Sequence, residues 1–181
     1  KVWGLSAFRN VPLLKKQIRR HAPSRVVVGS AGAADALRRW ARSEKRAVTI
    51  EQGPDALERL AAHDGVDVVL SAVVGAAGLR PLWAALKRGK TVALANKEAL
   101  VVAGDQLMAA ARRSGARLLP VDSEHSAIFQ CLGAGRPPYR NVRRLILTAS
   151  GGAFYRRKGP LSTVTVKEAL NHPTWKMGKK I

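Results

Sequence analysis

Short aliphatic runs alternate with stretches of helical periodicity as far as residue 121, and this alternation limits the possible folds more than any other feature. The runs are Val2-Trp3-Gly4-Leu5-Ser6-Ala7, Arg25-Val26-Val27-Val28-Gly29, Ala47-Val48-Thr49-Ile50, residues 66–74, Thr91-Val92-Ala93-Leu94-Ala95 and Arg117-Leu118-Leu119-Pro120-Val121. Between them apolar residues recur at helical spacing: Val11, Leu14 and Ile18 behind Asn10 as N-cap, then Leu37 and Trp40, then Leu57, Leu60 and Ala61 behind Gly53-Pro54-Asp55. Leu82, Trp83 and Leu86 follow the turn made by Gly75, Gly78 and Pro81, and residues 100–111 read as a further helix. Strand and helix in strict succession predict an α/β fold with a doubly wound, mostly parallel sheet and right-handed crossovers. The most continuous run, 66–74, has the composition of a strand buried on both faces.

After Leu132 the character changes. Residues 133–139 form a Gly/Pro-rich connector, Arg144-Leu145-Ile146-Leu147-Thr148 reads as another strand, and Ala149-Ser150-Gly151-Gly152-Ala153-Phe154 as a tight loop of small residues. Thr165 with Glu168 is a capping-box pattern that starts a short helix ending before Asn171-His172-Pro173. We place a domain boundary between residues 115 and 116, so that a doubly wound domain is followed by the start of a second, α+β domain. Val2 to Ala7 already reads as a strand under way and Ile181 has no stop signal around it, so the chain is read as an internal piece of a longer protein.

Composition excludes some classes. An apolar fraction of 46% supports a packed core. The longest apolar stretch, 66–79, is shorter than the ~20 residues of a membrane span and contains Asp67 and Ser71. A single cysteine, Cys131, cannot form an internal disulfide, which fits a reducing compartment, and we place it in the apolar part of a helix. The formal charge of +20 raises nucleic acid as a partner. However, the basic residues recur in short groups such as Lys15-Lys16, Arg38-Arg39, Arg112-Arg113 and Arg156-Arg157-Lys158, without interleaved aromatics. They read as solvated helix faces with a general attraction for anionic ligands rather than as a nucleic-acid surface.

Ligands of doubly wound sheets bind beyond the carboxyl ends of the strands, and the unusual residues fall there. Asn96-Lys97-Glu98 places a cation and two polar groups where a strand gives way to a helix N-terminus, a position suited to anions, although a capped helix with a solvated lysine reads equally well. Gly75-Ala76-Ala77-Gly78 permits close approach of a nucleotide, or is a plain strand-to-helix turn. Asp122 and Glu124 are two hard oxygen ligands which, on extended backbone, would point the same way toward one Mg²⁺ or Mn²⁺. In the competing reading Asp122 caps the next helix and Glu124 sits in its first turn. Ser150-Gly151-Gly152 offers a hydroxyl and amides to a phosphate, or is a glycine turn. His172, Trp175 and Met177 belong to a stretch that reads either as core anchors or as a lid closing over a ligand.

In this order the motifs Val74-Gly75-Ala76-Ala77-Gly78-Leu79, Ala93-Leu94-Ala95-Asn96-Lys97-Glu98, Pro120-Val121-Asp122-Ser123-Glu124-His125, Ala149-Ser150-Gly151-Gly152 and Asn171-His172-Pro173-Thr174-Trp175-Lys176-Met177-Gly178 closely resemble the 1-deoxy-D-xylulose 5-phosphate reductoisomerase family. The resemblance implies NADPH-dependent, divalent-metal-dependent rearrangement and reduction of that sugar phosphate in isoprenoid biosynthesis. It makes residues 1–115 an NADPH-binding, Rossmann-like domain lacking its first strand and Gly-rich loop, and 116–181 the beginning of the metal- and substrate-binding domain. It implies that Asp122 and Glu124 are metal ligands, and that Lys97, Ser123, Glu124, Ser150, His172, Trp175 and Met177 contact substrate, with Lys97, Glu124 and His172 catalytic. Arg9, Asn10, Asn96, Glu98 and Gly178 would meet NADPH, with Arg9 suited to a 2′-phosphate, although Phe8 stands where relatives often carry a small residue. The third metal carboxylate would lie beyond Ile181, so this piece alone would be inactive. A homodimer, and a cytoplasmic or plastid-stromal location, are also implied.

Overall fold

In the computed structural model, residues 1–133, 139–149 and 151–173 are described. The chain divides into two compact units, Lys1–Asp122 and Ser123–Ile181.

The first unit is the alternating α/β structure. Its elements are β1 (Gly4–Ala7), α1 (Val11–His21), β2 (Arg25–Val28), α2 (Ala31–Ser43), β3 (Thr49–Gln52), α3 (Gly53–Ala62), β4 (Val68–Ser71), α4 (Leu79–Lys87), β5 (Thr91–Leu94), α5 (Glu98–Ser114) and β6 (Arg117–Pro120). All pairing is parallel, in two three-stranded sheets ordered β1-β2-β3 and β4-β5-β6. Residues 117–120, which the sequence reading places after the domain boundary, are laddered to β5 and so belong to the first unit.

Each half-sheet has its own core. Leu14, Ile18, Leu37, Val26, Val28 and Ile50 fill the first, and Leu82, Leu86, Val92, Leu94 and Leu107 the second. Burying such a side chain contributes roughly 1.5–3 kcal/mol. α3 packs on β2, β3 and α4 and thereby joins the halves, with Ala61 in the second core. The helix starts follow local chemistry. Asn10 Oδ1 accepts from Leu13 N at 3.1 Å, and Ser30 Oγ from Ala33 N at 3.3 Å.

One expectation needs correction here. The run 66–74 yields only the four-residue β4, whose Val68 and Leu70 are 59% and 66% exposed. The reason is pairing: β4 is bonded to β5 on one side, and among the described residues its other edge, like that of β1, has no neighbour. Residues 98–114 form one helix by hydrogen bonding, but Ala103, at φ −145° and ψ 36°, breaks its geometry next to Gly104.

In the second unit, α6 (Ser123–Cys131) starts directly after Asp122, and α7 (Val166–Ala169) is the short capped helix that Thr165 and Glu168 predict. Arg144 to Thr148 is not a strand. No partner ladder stands beside it among the described residues, and Leu145, Ile146 and Leu147 are exposed. Cys131 ends α6 exposed, because no residue of α6 is buried. No helix among the described residues is long and apolar enough to cross a membrane.

Candidate functional site

The first unit gathers its polar loops at the carboxyl ends of the strands, as parallel pairing requires. Beyond β1, β2 and β4 lies a mostly apolar cavity of about 630 Å³, lined in part by Ala7, Phe8, Gly29, Val73, Val74 and Ala77. It spans residues of both half-sheets. Phe8 lies against Gly29, where a Cβ would stand 2.2 Å from the ring, and the Arg9 guanidinium sits 5.3 Å from the centre of that ring. Arg80 also borders the cavity, bonded to Asp55 at 3.0 Å and paired with Glu58. The sequence reading missed Gly29 and Arg80. A glycine just after a strand end was the only available signal for the first, and the partners of Arg80 come from a different helix.

Beyond β5 and β6 the chain builds a second set of contacts. Leu94 and Pro120 are the last paired residues, and Val121 N and Asp122 N both donate to Leu94 O. That ladder carries Lys97 and Asp122 side by side, with Nζ to Oδ2 at 2.7 Å. Lys97 is half-exposed and Asp122 mostly covered, at 51% and 16%. A charge-assisted contact of this kind holds the carboxylate in place, though solvent on the lysine limits its contribution to stability. Asn96 is buried, its Nδ2 donating to Val73 O and to Gly75 O. Glu98 opens α5, where negative charge suits the helix N-terminus, and its backbone N–H donates to Asn96 Oδ1 at 3.4 Å.

In the second unit, Ser123 Oγ donates to Glu124 Oε2 at 2.9 Å within the first turn of α6. The extended backbone expected across residues 122–124 is therefore replaced by a helix start, and alternation of faces along a strand cannot bring the two carboxylates together. Farther on, His172 Nε2 lies 2.7 Å from Gly151 O. A carbonyl only accepts, so Nε2 carries the proton. Gly151 has φ +77°, and a Cβ there would stand 2.9 Å from the Tyr155 ring, so the small-residue loop is pinned from two sides.

Arg9, Asn10, Asn96, Lys97, Glu98 and Asp122 thus fall in the first unit, and Ser123, Glu124 and His172 in the second. Asn10 has its side-chain oxygen committed to capping α1. Ser150, Trp175, Met177 and Gly178 lie outside the described residues. Among the described residues no three His, Cys, Asp or Glu side chains cluster as a metal-binding group. Asp122 and Glu124 each carry carboxylate oxygens, the hard donor type that Mg²⁺ or Mn²⁺ prefers.

Comparison with known proteins gives this arrangement a family. Residues 1–104 match the family model described as 1-deoxy-D-xylulose 5-phosphate reductoisomerase, and 118–181 match that of its C-terminal domain. A Ralstonia nicotianae protein named 1-deoxy-D-xylulose 5-phosphate reductoisomerase is 50% identical over 183 residues, covering 100% of this chain and 47% of its own length. One from Endomicrobium trichonymphae is 44% identical over 98% of this chain and 46% of its own length. The chain therefore spans about half the length of the curated relatives it matches. Among solved structures, a DOX-P reductoisomerase in complex with NADPH, fosmidomycin and magnesium superposes with a TM-score of 0.79 at 36% identity, over 97% of this chain and 45% of that one. The Zymomonas mobilis enzyme in complex with NADPH gives 0.75 at 42% identity, over 85% and 39%. With both family models matched in order and the same fold in the solved relatives, the chain belongs to the 1-deoxy-D-xylulose 5-phosphate reductoisomerase family.

Proposed function

We propose that the full-length protein converts 1-deoxy-D-xylulose 5-phosphate to 2-C-methyl-D-erythritol 4-phosphate by rearrangement and NADPH-dependent reduction, with a divalent metal, as a step of isoprenoid biosynthesis. The observation that carries this reading is the Lys97–Asp122 contact, 2.7 Å, at the ends of two adjacent parallel strands and inside the Pro120 to His125 motif. Residues 1–115 would serve NADPH, and 116–181 would begin the metal- and substrate-binding domain.

Each residue has a physical task. Arg9 brings positive charge beside the cavity, which suits the 2′-phosphate of NADPH, and the loops at Asn96 and Glu98 stand at the same end of the sheet. Asp122 and Glu124 would hold Mg²⁺ or Mn²⁺, which when bound supplies Lewis-acid polarisation of the sugar oxygens. Lys97 holds Asp122 in place and would present an ammonium to substrate oxygens from the same loop. Ser123 and Glu124 would meet the sugar chain. His172, protonated at Nε2 and bonded to Gly151 O, steadies the loop in which Ser150 would take the phosphate. Trp175 and Met177 would close over the substrate and exclude water, and Gly178 would adjoin the cofactor. A homodimer in the cytoplasm or plastid stroma accompanies this reading.

The test is NADPH oxidation by the purified full-length protein. Turnover of deoxyxylulose phosphate that requires Mg²⁺ or Mn²⁺ is expected. Reduction of a different aldehyde or ketone without metal would point to another two-domain NADP-dependent dehydrogenase. Tight, steeply salt-dependent nucleic-acid binding, with no effect of NADPH or metal on melting temperature, would point to a noncatalytic basic module.

A further inference from the structure

Only three residues, Phe8, Arg9 and Asn10, connect β1 to α1, and both ends of that connection are fixed. Ala7 is laddered to Val28, Asn10 caps α1, and Val11 N donates to Arg9 O at 2.8 Å. The Arg9 backbone is therefore held, and what remains to be set is a long side chain with many rotamers. Elsewhere in the first unit arginines are set by carboxylates: Arg19 by Glu44, Arg25 by Glu51 and Arg80 by Asp55. Arg9 has no carboxylate partner among the described residues and lies over the Phe8 ring, 5.3 Å from its centre. The two kinds of anchor differ in what they leave over. A carboxylate neutralises the guanidinium and occupies its N–H edge, whereas a ring takes only the flat face, so the charge and the N–H donors stay available to a phosphate. The ring is itself seated. A Cβ at Gly29 would stand 2.2 Å from Phe8 Cδ2 and 2.6 Å from Cε2, so the glycine just after β2 makes room for one edge of the ring. Phe8 lines the cavity and yet is 70% exposed, so its burial gains little.

We propose that Phe8 is a positioning residue, whose ring holds the Arg9 guanidinium beside the cavity with its N–H edge free for a phosphate monoester, and which thereby sets the preference for NADPH over NADH. The consequence for cofactor choice rests on the reading that Arg9 meets the 2′-phosphate, the one group by which the two cofactors differ. In this arrangement Gly29 serves Arg9 at one remove, by leaving the space that the ring occupies.

The experiment uses the full-length protein with Phe8→Leu, Phe8→Tyr, Arg9→Gln and the pair Phe8→Leu with Arg9→Gln, and reads the dissociation constants of NADPH and NADH. Leucine keeps an apolar side chain against Gly29 but has no π face. Phe8→Leu should weaken NADPH about 3-fold or more and leave NADH unchanged, whereas Phe8→Tyr, which restores the face, should keep the wild-type preference. In the Arg9→Gln background Phe8→Leu should cost nothing further, because the two act through one group. In the cofactor-free protein, nitrogen relaxation at Arg9 Nε should report a more mobile side chain in Phe8→Leu than in Phe8→Tyr. Equal weakening of NADPH and NADH by Phe8→Leu would show the ring meeting a part common to both cofactors and overturn the proposal. So would unchanged affinity for both, or an Arg9 side chain no more mobile than before. If Arg9→Gln leaves the preference as it was, the reading of Arg9 fails and the claim on cofactor choice with it, while relaxation still decides whether Phe8 holds the guanidinium. If Phe8→Leu does not fold, Phe8→Ala removes the same face and decides in its place.

Discussion

A methyl group at Gly29 would stand 2.2 Å from Cδ2 of Phe8 and 2.9 Å from Phe8 O, and the second of these is backbone that a rotamer change cannot move. We therefore expect Gly29→Ala to cost about 1–3 kcal/mol in denaturant unfolding, as overpacked sites do. An unchanged midpoint would show that the 7–10 segment yields. Lys97→Ala leaves Asp122, 16% exposed, without its 2.7 Å donor. In the full-length protein the expected result is a fall in kcat/KM for the sugar phosphate of ~100-fold or more, with NADPH affinity changed far less. Equal losses for both ligands would remove Lys97 from the substrate side. At this scale, sequence reading recovers what is local. Asn10 was legible as a cap because its partner is Leu13. The hydrogen bonds of Asn96 were not, because its partners are residues 73 and 75, brought beside it only by the pairing of β4 with β5.

Among the elements, the helices of the first unit were legible because the apolar stripe and caps lie within each segment, and β4 was not. An aliphatic run announces that it can be buried on both faces, but whether it is depends on neighbours elsewhere in the chain, and Val68 and Leu70 lack them. Arg144 to Thr148 failed for the same reason. The short α7 succeeds on local chemistry alone: Glu168 accepts from Thr165 N and Oγ1, both at 2.8 Å, and pairs with Arg157 at 3.2 Å. These contacts, the backbone N–H of Thr165 first, then its hydroxyl, then Arg157, pull the Glu168 carboxyl down to about 2 from an ordinary 4.5. A carboxyl depressed on folding stabilises the folded form above its unfolded value, and that help is lost as pH falls through the folded one. The cap should hold at pH 5 and disappear progressively between about 4.5 and about 2. Carboxyl chemical shifts of Glu168 would follow it, and a midpoint near 4.5 would contradict the capping geometry. Thr165→Ala should bring that midpoint up toward the ordinary value.

Across the whole molecule, the division into β1-β2-β3 and β4-β5-β6 leaves β1 and β4 each with one unpaired edge among the described residues. We propose that a strand from the remainder of the full-length protein, which is about twice as long in its relatives, pairs there and covers Val68 and Leu70. In the full-length protein, backbone amides of β1 and β4 should then exchange far more slowly than in the 181-residue chain. The shorter chain should also show no NADPH-dependent turnover, since it spans only 47% of the length of the Ralstonia relative. Measurable turnover would refute that.

Those two edges also shape how the isolated chain behaves in solution. Parallel edges with free N–H and C=O groups are templates for other copies of themselves, and a charge of +20 is what opposes the encounter. That opposition extends only over a Debye length, about 30 Å at 0.01 M salt and about 3 Å at 1 M. Light scattering from the isolated chain should therefore climb as salt is added, and climb less for the full-length protein, so that buffer ionic strength becomes a readout of whether the sheet is whole.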